Sequence, residues 1–264
     1  MNLPKGYSLV VKNKTKFIMS NAINNNSNFL QAFTLRKGSS KSKSYDLLNS
    51  DIKKIEKALG IKYVSTSKQV HGDRVVILKN KVLVDVKKTL NTSADGIISN
   101  IKGIAAGVRL ADCVGTVIID PTKNVVAVVH SGWKGVANKI PVKAVKQMEK
   151  IFSSKPEDMI AAISPAIGPC CYEVGIEVYN QLQRQPVFSN IFIKKHKRTY
   201  MNLWKAVKNL LMAEGLKAKN IHICDICTAC NPELFYSYRR DKGITGRQLA
   251  IGAVIKPISP FKKR

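Results

Sequence analysis

Residues Arg109 to Gly135 read RLADCVGTVIIDPTKNVVAVVHSGWKG. Within this stretch, Val114–Ile119 and Val125–Val129 are short and rich in β-branched residues, and Asp120-Pro121-Thr122-Lys123-Asn124 separates them. Apolar runs this short, divided by turn-forming residues, predict two buried strands of a hairpin rather than helices. Antiparallel pairing across the turn brings their outer ends together. Cys113 precedes the first strand and His130 closes the second, ahead of a glycine-broken turn, Ser131-Gly132-Trp133-Lys134-Gly135. A thiolate beside an imidazole is half of a zinc or copper site, or a nucleophile–base pair. The bland alternative is two buried residues at strand ends, because unpaired cysteine often packs as a small hydrophobe.

The chain around this stretch has 264 residues, enough for one large or two small domains with a sizeable core. Its apolar fraction of 45% is ordinary for a globular protein. No run reaches the ~18 apolar residues that a membrane span needs. Charges and asparagines interrupt MNLPKGYSLVVKNKTKF, so no signal-peptide core is read there and the cytoplasm is the expected location. The 44 Lys+Arg against 17 Asp+Glu give a formal charge of +27. Such a charge suits nucleic acid or an anionic surface. The lysines, however, are spread along the whole chain, with short clusters only at Lys194–Arg198 and Lys262–Arg264. No zinc-finger spacing or glycine–aromatic RNA-binding signature accompanies them. A solvated basic surface is therefore the expectation, with a positive field that draws phosphate into a pocket.

Further strands are expected at Tyr7–Val11, Lys16–Ser20, Phe29–Thr34, Tyr63–Ser65, Val75–Leu78, Gly96–Ser99, Gly103–Val108, Met159–Ile163, Ile221–Cys224 and Gln248–Ile255. Helices are expected at Asp51–Leu59 with a Gly60 stop and at Pro141–Phe152 with Val142, Val145, Met148 and Ile151 inward. Two more are expected near Ile176–Leu182 and at Asn202–Gly215. Asn21–Asn28 reads as a loop, Arg36–Ser40 as a flexible cationic loop, Pro186–Tyr200 as a basic irregular flap and Lys256–Arg264 as a frayed tail. His71, followed by Gly72, falls at a turn, where a side chain can face a cleft. The segment Ser164–Gly175 carries two prolines, Cys170, Cys171 and Glu173, which suits a rigid wall of a site. No repeat or linker divides the chain. The expected class is a mixed α/β (α+β) layered sandwich of sheets and helices in one domain, residues 1–264.

Six cysteines lie at 113, 170, 171, 224, 227 and 230. Without a secretory signal they read as thiols or ligands rather than disulfides. Cys224-x-x-Cys227-x-x-Cys230 matches the first three ligands of a ferredoxin-type run, but the fourth element, Cys-Pro three residues on, is missing. Cys170 or Cys171 completes a set of four only if the tertiary fold brings it there, so no cluster is expected.

The sequence resembles the bacterial laccase-domain family, whose members carry the names polyphenol oxidase, purine nucleoside phosphorylase/adenosine deaminase and peptidoglycan editing factor. The matching pieces are Ala32–Gly38, Lys68–Gly72, Ser93–Gly96, Ala111-Asp112-Cys113, His130–Gly135, Gly168-Pro169 with Tyr172–Gly175, Cys227-Thr228, and Ser237–Asp241 through Thr245-Gly246-Arg247. They cover nearly the whole chain in order. The resemblance implies a His, Cys, His ligand set falling on His71, Cys113 and His130. One thiolate and two imidazoles with an open fourth position is the pattern of catalytic zinc, and copper suits the same donors. Departures occur at Ser39 for a second glycine, at Ser131 and Lys134 for Ala and Arg, and at Val114-Gly115, where the family carries prolines.

The resemblance further implies phosphorolysis of adenosine, inosine or methylthioadenosine to base and ribose 1-phosphate, and deamination of adenosine. Glu173 and Asp112 are the candidate proton-handling carboxylates. Arg36 and Arg239 are candidates for a phosphate cradle, Gln69 for a substrate contact, and Trp133 or Tyr172 for stacking on a purine. The expected partners are a purine nucleoside and phosphate. Neither membrane nor nucleic acid is expected, and the chain is expected as a monomer or homodimer. The rival readings are a copper-dependent polyphenol oxidase, and a hydrolase editing peptidoglycan precursors with Cys113 as nucleophile and His130 as base.

Overall fold

The computed structural model describes residues 3–36, 46–78 and 91–255. The remainder of the Arg36–Ser40 loop and the Lys256–Arg264 tail lie outside these residues. The central hairpin is present: Val114–Asp120 pairs antiparallel with Val125–Ser131, and Gly115 stands opposite His130. Asp120 closes the turn by accepting from the Thr122 and Lys123 amides and the Thr122 hydroxyl, an Asx-type turn.

Two six-stranded sheets stack face to face. The first contains β1 (Tyr7–Lys12), β2 (Thr15–Ser20), β3 (Phe29–Thr34), β4 (Tyr63–Ser65), β7 (Ile104–Leu110) and β15 (Gln248–Val254), in the order β1-β2-β3-β15-β7-β4. Only its β4–β7 pair is parallel. The second contains β5 (Val75–Ile77), β6 (Gly96–Ser99), the hairpin strands β8 and β9, β10 (Ile160–Ile163) and β14 (Ile221–Ile223), in the order β14-β10-β8-β9-β6-β5. Its outer pairs, β10–β14 and β5–β6, are parallel. The third sheet, ordered β11-β13-β12, is built from β11 (Glu173–Val174), β12 (Phe192–Lys195) and β13 (Arg198–Met201).

The central strands lack polar–apolar alternation because both of their faces are covered. Val117, Ile119, Val126 and Val128 meet Phe33, Val108, Leu110 and Ala250 between the sheets. Ile118, Val125, Ala127 and Val129 face the helices α3 (Trp133–Ala137), α4 (Ile140–Phe152), α5 (Ile176–Gln183) and α6 (Leu203–Ala213) on the other side. The outer face of the first sheet is covered by α2 (Asp46–Leu59), through Ile55, Ala58 and Leu59. The layers thus run helix, sheet, sheet, helices. A Cβ at Gly252 would sit 2.7–3.0 Å from Val126, Val117 and Val128, so glycine there permits the close approach of the sheets. Truncating fully buried Ile118 to alanine is expected to cost about 2–5 kcal/mol.

Several expectations change in detail. Asn21–Asn28 is not all loop: Asn21–Asn24 forms α1, fastened by Asn24 Nδ2 to the Ser20 and Gln31 carbonyls. The turn after His130 is the start of α3, with Gly132 as its N-cap. In α4, Ile151 is 50% exposed and leaves the inward stripe, which runs through Ile140, Ala144 and Met148. The basic stretch before Tyr200 is an ordered β12–β13 hairpin, Lys195 opposite Arg198. His196 and Lys197 take φ of +48° and +60°, as a two-residue hairpin loop of this kind requires. Among the described residues, no helix is long and apolar enough to cross a membrane.

Candidate metal centre and the cavity beside it

The sheet register brings the site together. His130 lies near the end of β9, Cys113 immediately before β8, and His71 in the turn before β5. Ligand-capable atoms of His71, Cys113 and His130 all lie within 4.8 Å of one another. The two imidazole rings are 4.8 Å apart, edge to face.

Asp95 organises both histidines. It is fully buried and sits next to β6. Its carboxylate accepts the amides of Val70, His71 and Gly72 at 3.1, 3.0 and 2.8 Å, and it meets His130 Nδ1 at 2.8 Å. Burial opposes its charge, yet the bonds from His130 and these amides hold its pKa below the usual carboxylate range. An ionised acceptor requires a proton on His130 Nδ1, which leaves Nε2 for the cluster. This is the carboxylate–histidine arrangement that orients metal ligands. The same carboxylate holds the His71 turn, where His71 has φ +55°.

Burial works against the Cys113 thiolate, but the charge and hydrogen bond of His130, aided by His71, lower its pKa to about 6. Burial likewise opposes the His130 cation, but the Cys113 thiolate and Asp95 raise it to about 9. Each group thus stabilises the other's charged form, and the thiolate is the form that takes a cation; a bound cation would displace any proton from His130 Nε2. The donor set fits zinc or copper. The space fits too: a Cβ at Gly132 would lie 3.0 Å from Cys113 Sγ and 3.1 Å from His71 Nδ1, so any larger residue there would make those two side chains shift.

These three residues open onto a cavity of about 870 Å³. Trp133, Tyr172 and Tyr238 give it aromatic faces, and Lys68, Arg109, Lys134, Arg239 and Arg247 give it positive charge. Among the described lining residues Asp112 is the one carboxylate. It adopts φ +88° and is fixed by donors from Thr228 Oγ1 at 2.6 Å and the Arg239 amide at 2.7 Å. Arg239 donates to the Glu173 carbonyl at 3.0 Å and lies over the Tyr172 ring. Gln69 lines the cavity, but its amide is engaged with both the carbonyl and the amide of Arg109.

Two other candidates lie elsewhere. The Glu173 carboxylate pairs with Arg198 at 3.1 Å and does not line this cavity. Arg36 reaches the Pro232 carbonyl, stacks on Tyr236 and lines a separate cavity of about 330 Å³.

A model described as multi-copper polyphenol oxidoreductase laccase matches residues 31–254. This chain belongs to the laccase-domain family. It is 29% identical over 246 residues to purine nucleoside phosphorylase YlmD of Bacillus subtilis, covering 86% of this chain and 88% of that one. It is 29% identical over 179 residues to adenosine deaminase RL5 from an unknown prokaryotic organism, covering 66% and 68%. The crystal structure of Bacillus licheniformis YfiH shares the fold, with a TM-score of 0.85 at 24% identity over 96% of this chain and all of that one.

Sequence reasoning gave no role to Asp95, Lys68, Arg109 or Arg247 in this laccase domain. Asp95 carried one readable signal: a lone acid in a polar turn directly before an apolar strand. The three basic residues were lost among 44.

Proposed function

We propose that this laccase domain, residues 1–264 as one unit, is a metal-dependent purine nucleoside phosphorylase with adenosine deaminase activity. Its substrates would be adenosine, inosine or S-methyl-5′-thioadenosine with phosphate, in the cytoplasm. The observation that carries this reading is the composition of the main cavity. It combines a three-donor metal cluster, aromatic faces and five cations against one carboxylate, and its size suits a nucleoside with phosphate. The names of the relatives support the same chemistry.

When bound by His71, Cys113 and His130, zinc (or copper) would supply Lewis-acid polarisation and a water acidic enough to react near neutrality. The remaining roles belong to the chain itself. Trp133 or Tyr172 stacks on the purine. Arg239, with Arg109 and Lys134, holds phosphate against the sugar. In phosphorolysis a phosphate oxygen attacks C1′, the glycosidic electron pair moves to the base, and a proton at N7 lets the base leave neutral. We assign to Asp112 the relay of that proton from the attacking hydrogen phosphate to the base; the hydrogen bonds from Thr228 and the Arg239 amide, which hold its carboxylate at the cavity wall, support the assignment. In deamination water is the nucleophile and C6 of the adenine ring is its target: the C6–O bond forms, the C6–N bond breaks, and the amino group leaves as ammonia.

The test is product chromatography on adenosine with and without phosphate, on zinc-loaded and chelated protein. Adenine formed only with phosphate, inosine formed in both, and loss of both on chelation are expected. Absence of both products from zinc-loaded protein refutes the reading.

One observation favours a second reading. The Cys113 sulfur and a His130 ring nitrogen lie within 4.8 Å of each other, an arrangement that without metal also suits a nucleophile and base for hydrolysis of peptidoglycan precursors. Cys113→Ser protein that keeps full zinc but loses turnover favours the thiol nucleophile. Loss of zinc together with turnover favours the metal. A multicopper centre suits the site less well, since it gathers two imidazoles while His196 and His222 lie on the β12–β13 hairpin and on β14.

A further inference from the structure

Cys170, Cys171, Cys227 and Cys230 form a second cluster. Their four sulfurs all lie within 4.8 Å of one another. Cys224 is not among them; it is fully buried in the layer between the sheets. The pattern is therefore a Cys-Cys pair on one loop and a Cys-x-x-Cys turn on another.

We propose that these four thiolates bind one zinc ion, a structural site separate from the His71–Cys113–His130 centre. Three observations carry this. The first is spacing. Zn–S bonds of about 2.3 Å in a tetrahedron place neighbouring sulfurs about 3.8 Å apart. Cys230 Sγ lies 3.6 Å from Cys170 Sγ and 3.3 Å from Cys171 Sγ, and no pair exceeds 4.8 Å. A polynuclear iron–sulfur cluster interposes further iron and sulfide and would hold the cysteines farther apart.

The second observation is that Cys230 stands almost equally near two partners. That suits four ligands around a common centre and does not suit a disulfide, in which one sulfur commits to one other at about 2.05 Å. The third is backbone geometry. Cys227 Sγ accepts the Gly168 amide at 3.2 Å. Amides aimed at a sulfur stabilise a thiolate, and a metal-bound cysteine is one. A Cβ at Gly168 would lie 3.1 Å from Cys170 Sγ and 3.2 Å from Cys227 Cβ, so glycine lets the two loops close on the centre.

The site has a consequence for the cavity. Ile167 and Tyr172, on either side of the Cys170–Cys171 loop, line it. Thr228, next to Cys227, holds Asp112. Zinc would staple these two loops and fix that wall, adding to the isolated bridge from Ala166 to Cys227 and the Gly168 amide bond to Cys227 Sγ that already join them.

The test is zinc stoichiometry by native mass spectrometry on reduced, full-length protein. The expected result is two zinc ions per wild-type chain, one in Cys170→Ser/Cys230→Ser and one in His71→Ala/His130→Ala. The ion kept by the histidine variant would be the tetrathiolate one. Should the cysteine variant fail to fold, cobalt substitution of that histidine variant decides. A tetrahedral cobalt spectrum with strong sulfur-to-metal charge transfer is expected, with all four thiols protected from alkylation. No metal bound by the histidine variant, iron rather than zinc, or a disulfide among these four cysteines in the reduced protein would each overturn the proposal.

Discussion

His130 Nδ1 meets the carboxylate of Asp95 at 2.8 Å, and that same carboxylate holds the backbone of the His71 turn. One buried acid therefore sets the orientation of two candidate ligands that are far apart in sequence. Asp95→Asn keeps the shape but removes the charge and exchanges an acceptor for a donor. Zinc affinity at the His71–Cys113–His130 centre is expected to fall roughly 10- to 100-fold, measured by competition with a chromophoric chelator. An unchanged affinity would show that the carboxylate does not orient the site.

Gly132→Ala probes the space beside the cluster. The added methyl meets Cys113 Sγ at 3.0 Å and His71 Nδ1 at 3.1 Å. Those side chains must shift by a few tenths of an ångström, so bound zinc is expected to drop while circular dichroism stays that of the wild type. Full zinc occupancy in the folded variant would contradict the close fit.

Arg239 separates the two proposed reactions. Its guanidinium lies over Tyr172 on the cavity wall, and loss of one charge-assisted contact costs about 1.5–3 kcal/mol. Arg239→Ala is expected to raise the KM for phosphate roughly 10- to 150-fold and to leave inosine formation from adenosine within about twofold. Equal losses in both reactions would assign Arg239 to the architecture of the wall instead.

Much of this arrangement is legible in the chain alone, and the reason is local. The central hairpin is marked by two β-branched runs around an aspartate–proline turn, and its register alone puts Cys113 and His130 at one edge. The Glu173 carboxylate was not legible in the same way. Its strand pairs with β13, so the side chain goes to Arg198 rather than to the cavity. Arg36 follows β3 away from the site and meets Pro232. The Cys170–Cys171 and Cys227–Cys230 pairs are some 56 residues or more apart in sequence, and only tertiary packing of the two loops makes them neighbours. The β12–β13 hairpin was hidden because its turn is His-Lys rather than an asparagine–glycine pair.

The acid limb of stability offers a test away from the metal. Arg240 beside Asp241, with Thr245 and the Ser237 segment, holds the Asp241 carboxyl below the usual carboxylate range. A depressed folded pKa stabilises the protein above the unfolded value near ~3.9, and that contribution is lost as pH falls through the folded value. The stability gap between wild type and Asp241→Asn in urea titrations is therefore expected to be constant above pH ~5 and to shrink below ~4. A gap that persists unchanged to the acid transition would contradict the ionic role.

The most direct measurement is anomalous diffraction at the zinc edge from crystals of the zinc-loaded protein. A peak bonded to His71, Cys113 and His130, with a fourth position facing the cavity, is the expected result. Zinc-loaded crystals with no peak between those three side chains would contradict the account at its base.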